Sequence, residues 1–310
     1  MTALRLGTRA SALALTQSGH VADALRQLGH EVELVRITTQ GDTSSASVQQ
    51  LGGTGVFVNA LRDALLAKEI DLAVHSYKDL PTAPAEGLAV AAVPLRADPR
   101  DALVARDGLT LGELPAGSRI GTGSPRRTAQ LRALGLGLDL VPVRGNVDTR
   151  LGLVSGGQLD AVVLARAGLL RLGRADEITE TLDPLQVLPA PAQGALAVEC
   201  LDGDLVALLA RLDDGDTRSC VDAERSLLSA LEAGCTAPVG ALAEIADGDD
   251  GPEVFLRAVV AALDGSDAVR LSATAPADEA HEVGQRLAAE LLDLGAATLL
   301  SDHPAQPADR

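Results

Sequence analysis

Alternation of short apolar runs with longer helix-period segments constrains this chain more than any other feature. Such alternation buries its apolar surface in a largely parallel sheet with helices on both faces. The N-terminal part predicts a strand at Leu4–Gly7, a helix at Ser11–Leu28, a strand at Glu31–Thr38, a helix at Phe57–Ala67 and a strand at Leu72–His75. From Arg100 the pattern restarts, with strands at Arg119–Thr122, Asp139–Val143 and Ala161–Ala165 and helices at Ser124–Ala133 and Val147–Ser155 between them. Leu188-Pro-Ala-Pro-Ala reads as a linker, and Ala195–Cys200 as a further strand. After about residue 216 the order changes to helix Thr217–Leu231, strands Val239–Ile245, Val254–Leu263 and Ala268–Ala273, and helix Asp278–Leu294, an α+β pattern. Gly41–Gly55 is rich in Gly and Ser and has no hydrophobic period, so it reads as a lid or a disordered loop. Ser301–Arg310 reads as a frayed tail.

With 310 residues, two or three domains can each bury a core. The apolar fraction of 46% and mean hydropathy of +0.17 belong to a globular protein. No stretch reaches the ~18 uninterrupted apolar residues of a membrane span. The N-terminus lacks an export-signal pattern, so a cytoplasmic protein without membrane partners is expected. Net charge is −17 but uneven: +3 over residues 1–175 and −20 over residues 176–310. That acidic half argues against a nucleic-acid partner. Cys200, Cys220 and Cys235 are odd in number and form no C-x-x-C pair, which speaks against a metal site or a disulfide framework.

Residues 70–81 (IDLAVHSYKDLP) carry the first chemical signal. An apolar strand stops at His75-Ser76-Tyr77-Lys78-Asp79, and Pro81 prevents its continuation. Ligands of open α/β sheets bind beyond the carboxyl ends of strands, where this cluster would lie. A solvated strand exit is the plain alternative. Four arginine-bearing segments occupy similar places: Arg9 in LGTRAS with Ser11, Arg126 and Arg127 in GTGSPRR with Thr122 and Ser124, Arg144 and Arg150 in VRGNVDTR with Gly145 and Asn146, and Arg171. Helix N-termini favour anions, and Arg binds carboxylate or phosphate as a bidentate fork. Ser or Thr before a helix is also an ordinary N-cap, and Arg126-Arg127 could be two solvated residues. Neither G-x-x-x-x-G-K-[ST] nor G-x-G-x-x-G is present, so several separated arginines suit a ligand with several carboxylates. Cys235 lies in a tight Gly234–Pro238 loop that would present its thiol, whereas Cys200 and Cys220 read as buried apolar residues.

Seven motifs, RLGTRAS, GGTGVF, HSYKDLP, GTGSPRR, RGNVDTR, PAQG and GCTAPVG, occur in an order that closely resembles the porphobilinogen deaminase family. The resemblance implies two periplasmic-binding-protein-like doubly wound α/β domains flanking a cleft, plus a small α+β domain. Residues 1–96 with 192–214 would form the first, 99–190 the second and 216–300 the third, with a flexible tail at 301–310. It implies a transferase that joins four porphobilinogen molecules head to tail with loss of ammonia, then releases hydroxymethylbilane. A dipyrromethane primer would be held by thioether to Cys235, and Asp79 would be the catalytic carboxylate. Arg9, Ser11, Ser76, Lys78, Thr122, Ser124, Arg126, Arg127, Arg144, Gly145, Asn146, Arg150, Arg171 and Gln193 would hold primer and substrate. Phe57 would belong to the lid. A monomer without metal is expected. Loss of ammonia leaves a cationic azafulvene that a nearby carboxylate would stabilise; whether Asp79 also donates a proton is left open.

Three positions depart from the family pattern. Nothing basic lies between Arg36 and Arg62, where the family's lid often carries lysines; Asn59-Ala60 stands where Lys-Glu is common; Leu201 follows Cys200 where arginine is usual. A non-catalytic two-lobed anion-binding protein is the rival reading. It would need the arginines but not Cys235 or Asp79.

Overall fold

The structure is a computed structural model that describes residues 3–37, 55–234, 237–249 and 251–301. Its strands are β1 (Leu4–Thr8), β2 (Val32–Arg36), β3 (Leu72–Ser76), β4 (Leu88–Ala92), β5 (Asp101–Ala105), β6 (Arg119–Thr122), β7 (Asp139–Pro142), β8 (Ala161–Ala165), β9 (Glu180–Thr181), β10 (Leu196–Leu201), β11 (Val239–Gly248), β12 (Gly251–Ala261) and β13 (Ala268–Pro276). The helices are α1 (Ala12–Gln27), α2 (Gly55–Leu66), α3 (Pro125–Ala133), α4 (Val147–Ser155), α5 (Arg166–Arg171), α6 (Asp204–Leu209), α7 (Gly215–Ala230), α8 (Ala280–Asp293) and α9 (Ala296–Ser301). The chain divides into two compact units, residues 1–97 with 195–218, and residues 98–194 with 219–310.

The first unit is built on a sheet of order β2-β1-β3-β10-β4. β2, β1 and β3 are parallel, and β10 runs antiparallel to both β3 and β4. Side chains alternate across a strand, and β3 shows it. Leu72 and Val74 join Leu6, Val21, Leu25 and Val198 under α1 and α6. Ala73 points to the other face, against Leu61, Ala64 and Leu65 of α2. α1 starts where Ser11 accepts a hydrogen bond from the Ala14 amide, satisfying a donor that the helix leaves unpaired.

The second unit repeats the design with order β7-β6-β8-β5-β9, the first three parallel and β5 antiparallel to β8 and β9. Its C-terminal part is the antiparallel meander β11-β12-β13, with α8 covering one face. Ala129 and Leu188 pack with Leu242, Val259 and Ala261, joining the meander to the five-stranded part.

The α/β class and the main alternation are as expected, and strand and helix ends agree within a few residues. The parallel-type sheet is corrected to a mixed one. Right-handed crossovers make consecutive βαβ strands parallel, but β10 and β5 arrive by other routes, and hydrophobic periodicity carries no strand direction. β4, β5 and β9, short and without clear period, escape the sequence reading. The lid residues 41–54 and tail residues 302–310 lie outside the described residues. No described helix is long and apolar enough to cross a membrane.

Candidate functional site

In the first unit, chain direction places Arg9 and Ser11 just beyond β1 and Ser76, Lys78 and Asp79 at the end of β3. β3 runs into a single 3₁₀ turn, Tyr77–Asp79. The Tyr77 amide donates to the Ala195 carbonyl at 3.1 Å and the Leu80 amide to the Tyr77 carbonyl at 3.2 Å, which fixes the turn to β10. Tyr77 is buried, Lys78 half-buried and Asp79 exposed, so the turn delivers its carboxylate to solvent. The Ser76 hydroxyl accepts from Gln17 Nε2 of α1 at 2.9 Å. Arg9 is half-buried and Ser11 caps α1.

Along β3, before this turn, lies a group that sequence reasoning missed. Glu199 of β10, 2% exposed, is paired with Arg62 at 2.8 Å and with His75 Nε2 at 3.1 Å. Burial alone would raise its pKa, but the bonds from His75 and Arg62 and their charges leave it below the ordinary value. The available signal was weak: one acid inside the apolar run Ala195–Cys200.

In the second unit three helix N-termini follow the parallel strands. Ser124 caps α3, accepting from the Arg127 amide at 3.5 Å, with Pro125 as its first residue. Thr122, buried at the end of β6, accepts from the Ser124 amide at 3.2 Å. Asn146 caps α4, accepting from the Thr149 amide at 2.8 Å. Gly145 before it has φ of +99°, a conformation that L side chains rarely adopt.

Around these termini the arginines separate into two kinds. Arg126 and Arg127 are buried and share one carboxylate, Asp101, at 2.9 and 2.7 Å. Arg126 also donates to the Leu188 carbonyl at 2.6 Å, and Arg127 to Val163 at 2.9 Å. Gln193 donates to Asp101 at 2.8 Å and to the Pro99 carbonyl at 2.7 Å. Burial pushes the Asp101 carboxyl up, but the two arginines and Gln193 hold it well below the usual carboxylate range. Asp101 begins β5, one of the strands not read from the sequence.

Arg144, Arg150 and Arg171 are the second kind. Arg144 is exposed, and Arg150 and Arg171 are half-buried. Arg150 Nε donates to the Gly145 carbonyl at 2.9 Å, and Arg171 to the Gly194 carbonyl at 2.7 Å. Among the described residues none of the three forms an ion pair. Burial lowers the pKa of both Arg150 and Arg171, and the charge of Arg127 lowers that of Arg150 further. Arg150 lies in the first turn of α4 and Arg171 at the end of α5, so both are partly desolvated cations whose hydrogen-bond partners among the described residues are carbonyl oxygens, an arrangement suited to an anion.

Cys235 lies outside the described residues, and Phe57 lies in α2 with its side chain outside them. Burial, then the charges of Asp202 and Glu199, pushes the Cys200 thiol up to about 11. Cys220 is buried in the core of the C-terminal part. Among the described residues no cluster of His, Cys, Asp and Glu could hold a metal ion.

Residues 4–208 match the family model "Porphobilinogen deaminase, dipyromethane cofactor binding domain", and residues 218–293 match "Porphobilinogen deaminase, C-terminal domain". The chain is 62% identical over 304 residues to the porphobilinogen deaminase of Mycobacteroides abscessus, covering 96% of this chain and 99% of that one. It is equally identical to that of Mycobacterium tuberculosis H37Rv, over 96% and 98% of the two chains. The solved methionine-binding protein MetQ shares 14% identity at a TM-score of 0.41, over 67% of this chain and 89% of its own, too slight a likeness to bear on function. Two family models in chain order and near-complete relatives at this identity lead to one conclusion: the chain belongs to the porphobilinogen deaminase family.

Proposed function

We propose that this chain condenses four porphobilinogen molecules head to tail, losing ammonia each time, on a dipyrromethane primer attached to Cys235, and then releases hydroxymethylbilane by hydrolysis. The observation that carries the reading is the set of partly desolvated arginines, Arg150 and Arg171, that meet carbonyl oxygens and no acid among the described residues. Each porphobilinogen unit brings two carboxylates, so a growing chain needs uncompensated positive charge in a protein whose net charge is −17. These residues fit such a polyanionic primer. When bound, it supplies the free pyrrole carbon that takes up each new unit.

The chain's own residues divide the remaining work. Arg144, Arg150 and Arg171, with the α3 and α4 N-termini, bind acetate and propionate groups and set their register. Arg126 and Arg127 are spent largely on Asp101 and build the floor of that half. Asp79, at the tip of its turn, offers a carboxylate to the pyrrole N–H as ammonia departs and positive charge develops on the ring. Lys78 and Arg9 supply positive charge on the same unit.

The test is the intact mass of protein made in a porphobilinogen-producing host, paired with Ehrlich's reagent for pyrroles. A mass above that of the polypeptide by one dipyrromethane, with colour, is expected for the parent and for Cys200→Ser, and neither for Cys235→Ser. An unmodified parent without colour or turnover would favour the anion-binding protein.

A further inference from the structure

The Arg62–Glu199–His75 cluster joins β10 and α2 to the strand that leads into the Asp79 turn. Glu199 lies opposite Ala73 in the β3–β10 ladder, and Ala197 lies opposite His75. Ala73 and His75 therefore share a face, and Glu199 reaches diagonally to the ring of His75, 3.1 Å away. From α2, Arg62 closes the cluster with contacts of 2.8 and 3.1 Å to the same carboxylate oxygen. His75 immediately precedes Ser76, and the next three residues form the Tyr77–Asp79 turn. The end of β3 is thus met twice from this side, by the Ala195 carbonyl just before β10, which accepts from the Tyr77 amide, and by the Glu199 carboxylate 3.1 Å from His75 Nε2. Buried ion pairs are often no more stabilising than well-packed apolar side chains of similar volume. Stability alone is a poor reason to keep three polar groups against an apolar helix face.

We propose that Glu199 is a positioning residue: held by Arg62, it fixes the His75 side chain and with it the direction in which the next turn delivers Asp79. The inference rests on the functional reading above, in which Asp79 acts on the substrate. A carboxylate displaced by about 1 Å can lose on the order of 10²-fold in rate, so the effect belongs in kcat. Arg144, Arg150 and Arg171, proposed above to bind the substrate carboxylates, lie outside the β3–β10 pairing, so KM should barely move.

Steady-state kinetics with porphobilinogen, well below the thermal transition, test this in Glu199→Gln, Arg62→Met and Arg62→Lys. Glu199→Gln should lower kcat by about 10- to 100-fold with KM within about twofold of the parent and the primer still attached by mass. Arg62→Met should act in the same direction, and Arg62→Lys, which keeps a cation on Glu199, should recover most of the loss. If Glu199→Gln does not fold, the Arg62 pair decides. A folded Glu199→Gln with parental kcat, a change confined to KM, or equal activity of Arg62→Met and Arg62→Lys would each overturn the proposal. Absence of turnover in the parent would defeat the functional reading and this inference with it, whereas an active parent with inactive Asp79→Asn leaves that reading standing however Glu199→Gln behaves.

Discussion

Asp101→Asn tests how the arginine-rich unit is held together. The carboxylate is fully buried, pairs with Arg126 at 2.9 Å and Arg127 at 2.7 Å, and accepts from Gln193 at 2.8 Å. Asparagine keeps the shape but leaves two guanidinium groups in a dry interior without counter-charge. Removing one partner of a buried ion pair costs about 3–5 kcal/mol. A unit of this size shifts by about 2–4 °C per kcal/mol, so melting should fall by roughly 6–20 °C at neutral pH. The pH dependence gives a second reading. The folded-state pKa of Asp101 lies below its ordinary value of 3.8. Its stabilisation is therefore complete above that ordinary value and is lost as pH falls through it toward the lower folded one. Calorimetry should show the parent losing part of its stability between about pH 5 and about pH 3, and Asp101→Asn lacking that part of the slope. A variant melting within about 2 °C of the parent, with the same acid slope, would refute the account, since a difference that small is typical of surface substitutions.

Asp79→Asn should lower turnover by roughly 10²–10³-fold while melting like the parent, because Asp79 is exposed; near-normal turnover would remove it from the mechanism. Arg150→Lys and Arg171→Lys keep the charge but lose the planar fork, so KM for porphobilinogen should rise, more steeply with added salt; parental KM in both would place the carboxylate clamp elsewhere. Gly284→Ala should destabilise by about 1–3 kcal/mol in urea titration, because an added methyl would overlap the Ala223 carbonyl oxygen and the Leu227 amide of α7.

The fold was legible wherever hydrophobic period and end signals coincided. Ser11 before an apolar helix and Ser124-Pro125 before another located α1 and α3, and both serines cap their helices, as the plainer reading of them had it. What escaped was pairing. Asp101–Ala105 is an apolar run whose first residue is an acid, and nothing local says that this acid will lie between two arginines some 25 residues on. The antiparallel direction of β10 is a long-range fact of the same kind. Its register, with Ala197 opposite His75, is what brings Glu199 into reach.

The same gap explains why the arginines could be found but not sorted. In sequence, Arg126, Arg127, Arg144, Arg150 and Arg171 look alike, each near the end of an apolar strand. Structure divides them by whether an acid is delivered to the same place, and Asp101 is delivered to only the first two. One carboxylate against two guanidinium groups still leaves that cluster with a charge of one positive sign, and its influence reaches Arg150. The local field is thus positive in a chain that is acidic overall, because most of the acids lie after residue 175 and the site arginines before it. Net charge indicates how such a protein behaves toward large partners. The pairing of individual carboxylates decides what small anion it can hold.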